Sequence, residues 1–290
     1  MNIILAFIFI VFVFVLGLFP FFLLYQLSNL LYLFLYPIFG YRKKVIVQNL
    51  KDCFPEKSDI EIKKLLPPIY KNLTDNIVEG IKAFTMTRKQ IVKRHIILNP
   101  EIIEPYFNSG KSIIAVTGHY GNWEWGSLSA TLQTDYTIVG LYKTLSNKWI
   151  DSFMRWSRSR YGTILAPINK TALIFKNLKD TPSVFLMAAD QSPSRSQKES
   201  AFWINFLGRD TAFLHGPEKY ARANNYPVVY IDVQRKKRGY YTIELSILTD
   251  KPTELEEGKI TTLFANKLES VINKEPANWL WSHRRWKLSR

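Results

Sequence analysis

The 290-residue sequence holds one cysteine, four histidines, and no charged side chain before Arg42. The single cysteine, Cys53, excludes a disulfide framework, and its place beside Phe54 reads as a small buried residue. His95, His119, His215 and His283 form no ligand-spaced cluster, and no His-Glu-x-x-His run is present, which argues against a metal centre. A phosphate-cradling glycine loop is missing too, so no cofactor is expected. Neither an internal repeat nor a low-complexity linker divides the chain. The roughly 250 residues after the apolar start fall within the range of one domain with a substantial core.

The uncharged start is itself informative. Residues 3–24 are long and apolar enough to cross a hydrocarbon layer of roughly 30 Å as one helix, kinked at Pro20. No basic region precedes the run and no small-residue cleavage site follows it, so retention rather than signal-peptide removal is expected. Residues 27–39 are shorter, end at Pro37 and Gly40, and read as an interfacial or docked segment. Arg42, Lys43 and Lys44 follow at once, which by the positive-inside rule puts the rest of the chain in the cytoplasm. The expected layout is a single-pass anchor over 1–41 and a cytoplasmic domain over 42–290. A net charge of +15 calls for an acidic partner, and beside a membrane segment the fitting ones are anionic lipid headgroups or an acidic carrier protein. Nucleic acid is the rival, but Arg235-Lys236-Lys237-Arg238-Gly239 reads as a solvated turn between strands and no nucleic-acid motif is visible.

Past the anchor, helical patterning covers residues 45–50, the capping box Ser58-Asp59-Ile60-Glu61 starts a helix, Pro67-Pro68 breaks it, and another follows over 69–84. Strand patterns at 112–117, 137–141, 163–165 and 183–188 then alternate with helices from Trp123, over 147–160 and over 171–178. Two more strands, 227–233 and 240–248, flank the basic turn. The fold class expected is α/β: a mostly parallel mixed sheet with helices on both faces and one antiparallel pair, preceded by a transmembrane helix. In such folds the chemistry gathers where strands end.

Gly118-His119-Tyr120-Gly121-Asn122-Trp123-Glu124 follows the apolar run 113–117 directly. On one continuous helix His119 and Glu124 would stand roughly 140° apart, so a strand, a bend and a helix start are needed to bring them together. Gly118 and Gly121 suit the bend, and Asn122 suits the N-cap. Imidazole and carboxylate would then meet, and a carboxylate on one ring nitrogen makes the other a better base toward a hydroxyl. A buried histidine capped by an acid for structural reasons has the same short pattern. Asp190 and Gln191, after the strand over 183–188, mark a second polar position on the same side, which a structural turn aspartate explains equally well. His215, in Leu214-His215-Gly216-Pro217, reads as a helix start. His283-Arg284-Arg285 is either a contact for acidic headgroups or carrier protein, or a solvated tail between packing tryptophans.

Taken in order, several segments resemble the lipid A biosynthesis acyltransferases, late acyltransferases within the His-x4-Asp/Glu glycerolipid acyltransferase group. They are Val47-Gln48-Asn49-Leu50, Cys53-Phe54-Pro55-Glu56, Glu79-Gly80-Ile81-Lys82, the Gly118 to Glu124 segment, Asp190-Gln191, Phe206-Leu207-Gly208, Tyr226-Pro227-Val228-Val229 and Trp281-Ser282-His283-Arg284-Arg285-Trp286-Lys287. The resemblance covers nearly the whole chain. It implies transfer of a fatty acyl chain from acyl carrier protein to a hydroxyl of an anionic membrane glycolipid, a lipid A precursor, at the cytoplasmic face of the bacterial inner membrane. It further implies His119 as general base with Glu124 as its partner, and Arg158 at the acceptor or reaction centre. Asp190, Arg284 and Arg285 are the other expected substrate contacts. Residues 191–203 and Lys143 depart from the family pattern, so a lysophospholipid or amino-acid lipid acceptor stays open. A membrane-tethered adaptor for anionic partners would explain charge and tether, but not the Gly118 to Glu124 arrangement.

Overall fold

A computed structural model describes residues 3–290. The N-terminal half runs α1 (Ile3–Leu18), α2 (Phe21–Leu33), α3 (Lys43–Cys53), α4 (Asp59–Ala83), α5 (Arg88–Arg94), β1 (His95–Ile97), α6 (Glu104–Asn108), β2 (Ile113–Thr117), α7 (Gly126–Ser129) and β3 (Thr137–Tyr142). It continues with α8 (Lys148–Ser159), β4 (Ile164–Pro167), α9 (Thr171–Asn177), β5 (Ser183–Ala188), β6 (Phe202–Phe206), β7 (Arg209–Phe213), α10 (Gly216–Asn224), β8 (Val228–Lys237), β9 (Tyr240–Thr249) and α11 (Lys259–Lys274).

Seven strands form one sheet in the order β1-β9-β8-β2-β5-β3-β4, parallel throughout except where β8 meets β9. The mostly parallel mixed sheet is therefore the expected one, with its antiparallel pair joined at Gly239. Strand β2 shows why the fold needs two covering layers. Ile114 and Val116 enter one apolar cluster while Ile113 and Ala115 enter the other, so alternate residues are buried on opposite faces. Helices α3, α4, α10 and α11 supply the first cluster; α5 and α7 contribute to the second.

Three local readings are corrected. Helix α4 passes through Pro67-Pro68 without a break. Buried Ile62 and Leu66 before the prolines, and Ile69 and Tyr70 after them, hold one helical face against the core, and that tertiary packing outweighs the hydrogen bonds the prolines cannot donate. The basic hairpin turn is not wholly solvated either: Arg235 and Arg238 each reach the buried Asp75 at 2.5 Å. Lastly, the N-terminal apolar run is not one helix over 3–24. It stops at Leu18 and restarts at Phe21, because Pro20 has no N–H to continue the ladder and its carbonyl begins the next helix, accepting from Leu23 and Leu24. Among the described residues, the helix long and apolar enough to cross a membrane is Phe21–Ile38, α2 with its π-helical continuation, with a mean hydropathy of 1.5. The β6–β7 hairpin, antiparallel and outside the main sheet, had no counterpart in the sequence reading.

Candidate active site

Strands β2 and β5 are parallel neighbours in register, Thr117 opposite Ala188, so they end side by side and release their next residues at the same sheet edge. His119 leaves β2 and Asp190 leaves β5. The imidazole Nδ1 lies 2.5 Å from Asp190 Oδ1, and the His119 backbone N–H donates to Asp190 Oδ2 at 2.8 Å. Trp279 Nε1 also donates to Oδ2, at 2.8 Å.

Two glycines make the turn possible, for different reasons. Gly121 has φ +60°, and a Cβ there would stand 2.6 Å from the Val233 carbonyl oxygen. Gly118 has no unusual angle, but a Cβ would sit 2.7 Å from Leu268 Cδ1, so closeness is what it supplies. The C-terminal segment pins the loop: Gly121 N–H donates to Asn278 O at 3.0 Å, and Leu280 N–H to His119 O at 3.1 Å. Asn122 is the expected N-cap, its Oδ1 accepting from Trp125 N at 3.2 Å, though the helix it starts is one 3-10 turn followed by the short α7.

That tight turn carries Glu124 away from the imidazole. Glu124 instead grips Arg158 of α8 in a fork, with Nη2 2.9 Å from Oε1 and 2.8 Å from Oε2, and Nε 3.3 Å from Oε2. The structure thus joins His119 to Asp190 and Glu124 to Arg158, where the sequence suggested His119 with Glu124. Asp190 was read as a substrate contact; with 3 % of its side chain exposed, it faces the histidine.

The electrostatics follow from this pairing. Burial by itself would push the Asp190 carboxyl up, but the facing His119 charge and the donated hydrogen bonds outweigh it and bring it to about 2. For His119 burial opposes the charged form, Asp190 and then Glu124 favour it, and the net direction is upward. With Nδ1–H donating to Asp190, Nε2 keeps its lone pair, and the Gln191 amide donates to it at 3.0 Å. Gln191 is exposed.

His119, Glu124, Arg158 and Gln191 line a cavity of about 420 Å³ that extends along one face of the sheet. Its wall follows the period-2 pattern of the strands: Ile113, Ala115 and Thr117 on β2, then Val229, Ile231 and Val233 on β8. At a strand rise of about 3.3 Å per residue, the β2 part alone is roughly 13 Å long. His95 and Ser129 interrupt the apolar wall with a polar pair, Ser129 Oγ lying 2.6 Å from His95 Nδ1. Burial lowers His95 to about 4, so it adds no charge.

The terminal arginines separate. Arg284 is exposed, whereas Arg285 is 1 % exposed with its guanidinium 4.4 Å from the Phe213 ring centroid, and burial lowers it to about 10. Arg285 is therefore not on the rim: packing of Trp279 and Trp286 against Phe206 encloses the segment. His283 is lowered to about 4 by burial and accepts from Ser192 N–H at 3.3 Å, tying the tail to the loop after Asp190. His215 precedes α10 as expected and lies outside the cavity lining. Cys53 is buried. Among the described residues no three His, Cys, Asp or Glu side chains group as a metal ion would need.

A histidine–carboxylate pair beside an apolar cavity, at the ends of parallel strands, stands where α/β enzymes keep their chemistry. The chain belongs to the bacterial lipid A biosynthesis acyltransferase family, whose pattern matches residues 1–288. It is thus an acyltransferase of lipid A biosynthesis. It is 25% identical over 249 residues to the lipid A biosynthesis lauroyltransferase of Escherichia coli (strain K12), covering 85% of this chain and 79% of that one. Identity to the lipid A biosynthesis palmitoleoyltransferase of the same organism is 22% over 253 residues, 87% of this chain and 80% of that one. A lipid A biosynthesis acyltransferase of Haemophilus influenzae (strain ATCC 51907 / DSM 11121 / KW20 / Rd) is 22% identical over 251 residues, 86% and 78% of the two chains.

Proposed function

We propose that this chain moves a fatty acyl group from the thioester of acyl carrier protein to a hydroxyl of a lipid A precursor, at the cytoplasmic face of the bacterial inner membrane, with His119 as general base and Asp190 as its partner. The observation that carries this reading is the Nδ1–Asp190 contact at the mouth of the apolar cavity, which leaves Nε2 as acceptor for a hydroxyl proton. The hydroxyl oxygen attacks the thioester carbonyl carbon as Nε2 takes its proton. The C–S bond then breaks, and the imidazolium returns the proton to the leaving thiolate. No covalent enzyme intermediate is needed. The acyl chain lies along the strands, where the polar pair of His95 and Ser129 interrupts the apolar wall without adding charge.

Negative charge grows on the thioester oxygen during attack and needs a donor. The Gly121 N–H is already spent on Asn278 O. Arg158 suits the task better: Glu124 holds its Nε and Nη2 and so fixes the plane of the guanidinium at the cavity mouth. The exposed Arg284 suits attraction of an acidic carrier or headgroup. Purified protein given labelled acyl carrier protein and a lipid A precursor should form the acylated lipid, and His119→Ala should lose about 100 to 10,000-fold in turnover while staying folded. Turnover that survives the substitution at near-normal rate would remove His119 from the mechanism.

A further inference from the structure

We infer that α1 and α2 lie in the plane of the membrane, sunk along one side into the leaflet nearest the catalytic domain, and that neither helix spans it. This does not rest on the proposed reaction. The starting point is the corner between the helices. Pro20 frees the carbonyls that end α1, and the ammonium of Lys82 on α4 takes two of them, Gly17 O at 2.7 Å and Phe19 O at 2.8 Å. Thr85 donates to Gly17 O as well. A Cβ at Gly17 would stand 3.1 Å from the Ile81 carbonyl oxygen, so α1 meets the backbone of α4 closely at this glycine. The corner is thereby fastened to a buried lysine of the folded domain; in a hairpin that crossed the membrane it would lie on the far side.

Helix α2 is docked along its length, and with polar contacts. Tyr25 donates to Glu79 at 2.9 Å, Ser28 to Asp75 at 2.6 Å, and Lys71 lies 5.9 Å over the Tyr32 ring. Further on, Tyr36 packs on Tyr70 at 4.8 Å between centroids. A spanning α2 would carry Asp75, Glu79 and the arginines on Asp75 into the hydrocarbon, where ionised side chains are strongly disfavoured.

The other sides of the same helices require an apolar phase. Phe7 is 65% exposed on α1, and so is Phe22 on α2, while no charged residue occurs before Arg42. The face continues onto the catalytic domain. Helix α8 packs on α1, and between them Ile10, Val11, Phe14, Val15, Phe153 and Trp156 line an entirely apolar groove of about 340 Å³, a shape that lipid chains fill. Exposed Trp149 and Trp156 of α8 and the cations Arg42, Lys43 and Lys44 are the groups expected at headgroup depth. The occupant this face fits is one leaflet of anionic lipid.

Sidedness in native membranes tests the inference. A protease-sensitive tag fused before Met1 and, separately, Leu18→Cys at the corner are placed in spheroplasts and in inverted inner-membrane vesicles. Cys53 stays silent because it is buried and its thiol is pushed up to about 12. In-plane helices predict tag cleavage only from the face that exposes the catalytic domain. They also predict Leu18→Cys labelling by an impermeant maleimide at the wild-type background from the opposite face, rising once detergent is added. Tag cleavage from the opposite face would establish a single span, and Leu18→Cys labelling there would establish a crossing hairpin; either overturns the inference.

Discussion

Two carboxylates act on the charge of His119, one in contact and one at a distance, and they are held in opposite ways. Asp190 is buried and accepts from the His119 backbone, the imidazole and Trp279, so its oxygens are fixed before any substrate arrives. Glu124 has 34% of its side chain exposed at the cavity mouth and is held by a guanidinium that itself belongs to another element. Under the proposed mechanism the base gains from an immobile partner on its far nitrogen, while Glu124 holds the Arg158 guanidinium beside the cavity. The difference teaches that burial, rather than nearness in sequence, selects which acid serves the imidazole.

The comparison breaks most decisively at the histidine and its partner. Beyond the loss expected for His119→Ala, Asp190→Asn should cost turnover within the same range of about 100 to 10,000-fold, since the amide supports neither the Nδ1–H tautomer nor the imidazolium. Steady-state kinetics on protein whose circular dichroism is unchanged checks this. A loss below tenfold would mean that Asp190 only holds the loop.

A smaller effect is expected at the mouth. Arg158→Ala should lower kcat about 100-fold through loss of charge stabilisation, with the apparent affinity for the acyl donor changed much less. Should the Michaelis constant for the lipid rise while kcat holds, Arg158 would be a headgroup contact instead.

The smallest effect is on pH. As the proposed base His119 would act when neutral, so its raised pKa predicts that activity falls as pH drops through a value above the ordinary 6.5. Glu124 contributes to that rise by its charge, so Glu124→Gln should lower the His119 pKa and move the acid limb of kcat/KM downward by several tenths of a pH unit. An upward move would contradict the charge arrangement.

How much of this was legible in the sequence differs from element to element. Strands β2, β3, β5, β8 and β9 were readable within a few residues because apolar runs between turn signals are local. The glycine bend and the Asn122 cap were equally local. Pairing of His119 with Asp190 was not: it depends on β2 and β5 being neighbours in register, a fact of sheet order that no spacing between residues 119 and 190 encodes. Arg285 was misplaced for a related reason. A basic cluster at a chain end resembles a solvated tail until Phe206, Phe213, Trp279 and Trp286 are seen to close around it. Pro20 is a local signal of a kink, and the corner it makes depends on the contacts that end α1 and start α2.

The most direct measurement is the ring-nitrogen NMR titration of His119 in wild-type protein, Asp190→Asn and Glu124→Gln. The arrangement described predicts an Nδ1–H tautomer in the wild type that persists in Glu124→Gln and is lost in Asp190→Asn, with the pKa falling in both and further in Asp190→Asn. A tautomer that survives Asp190→Asn but disappears in Glu124→Gln would return the histidine to Glu124 and contradict the account.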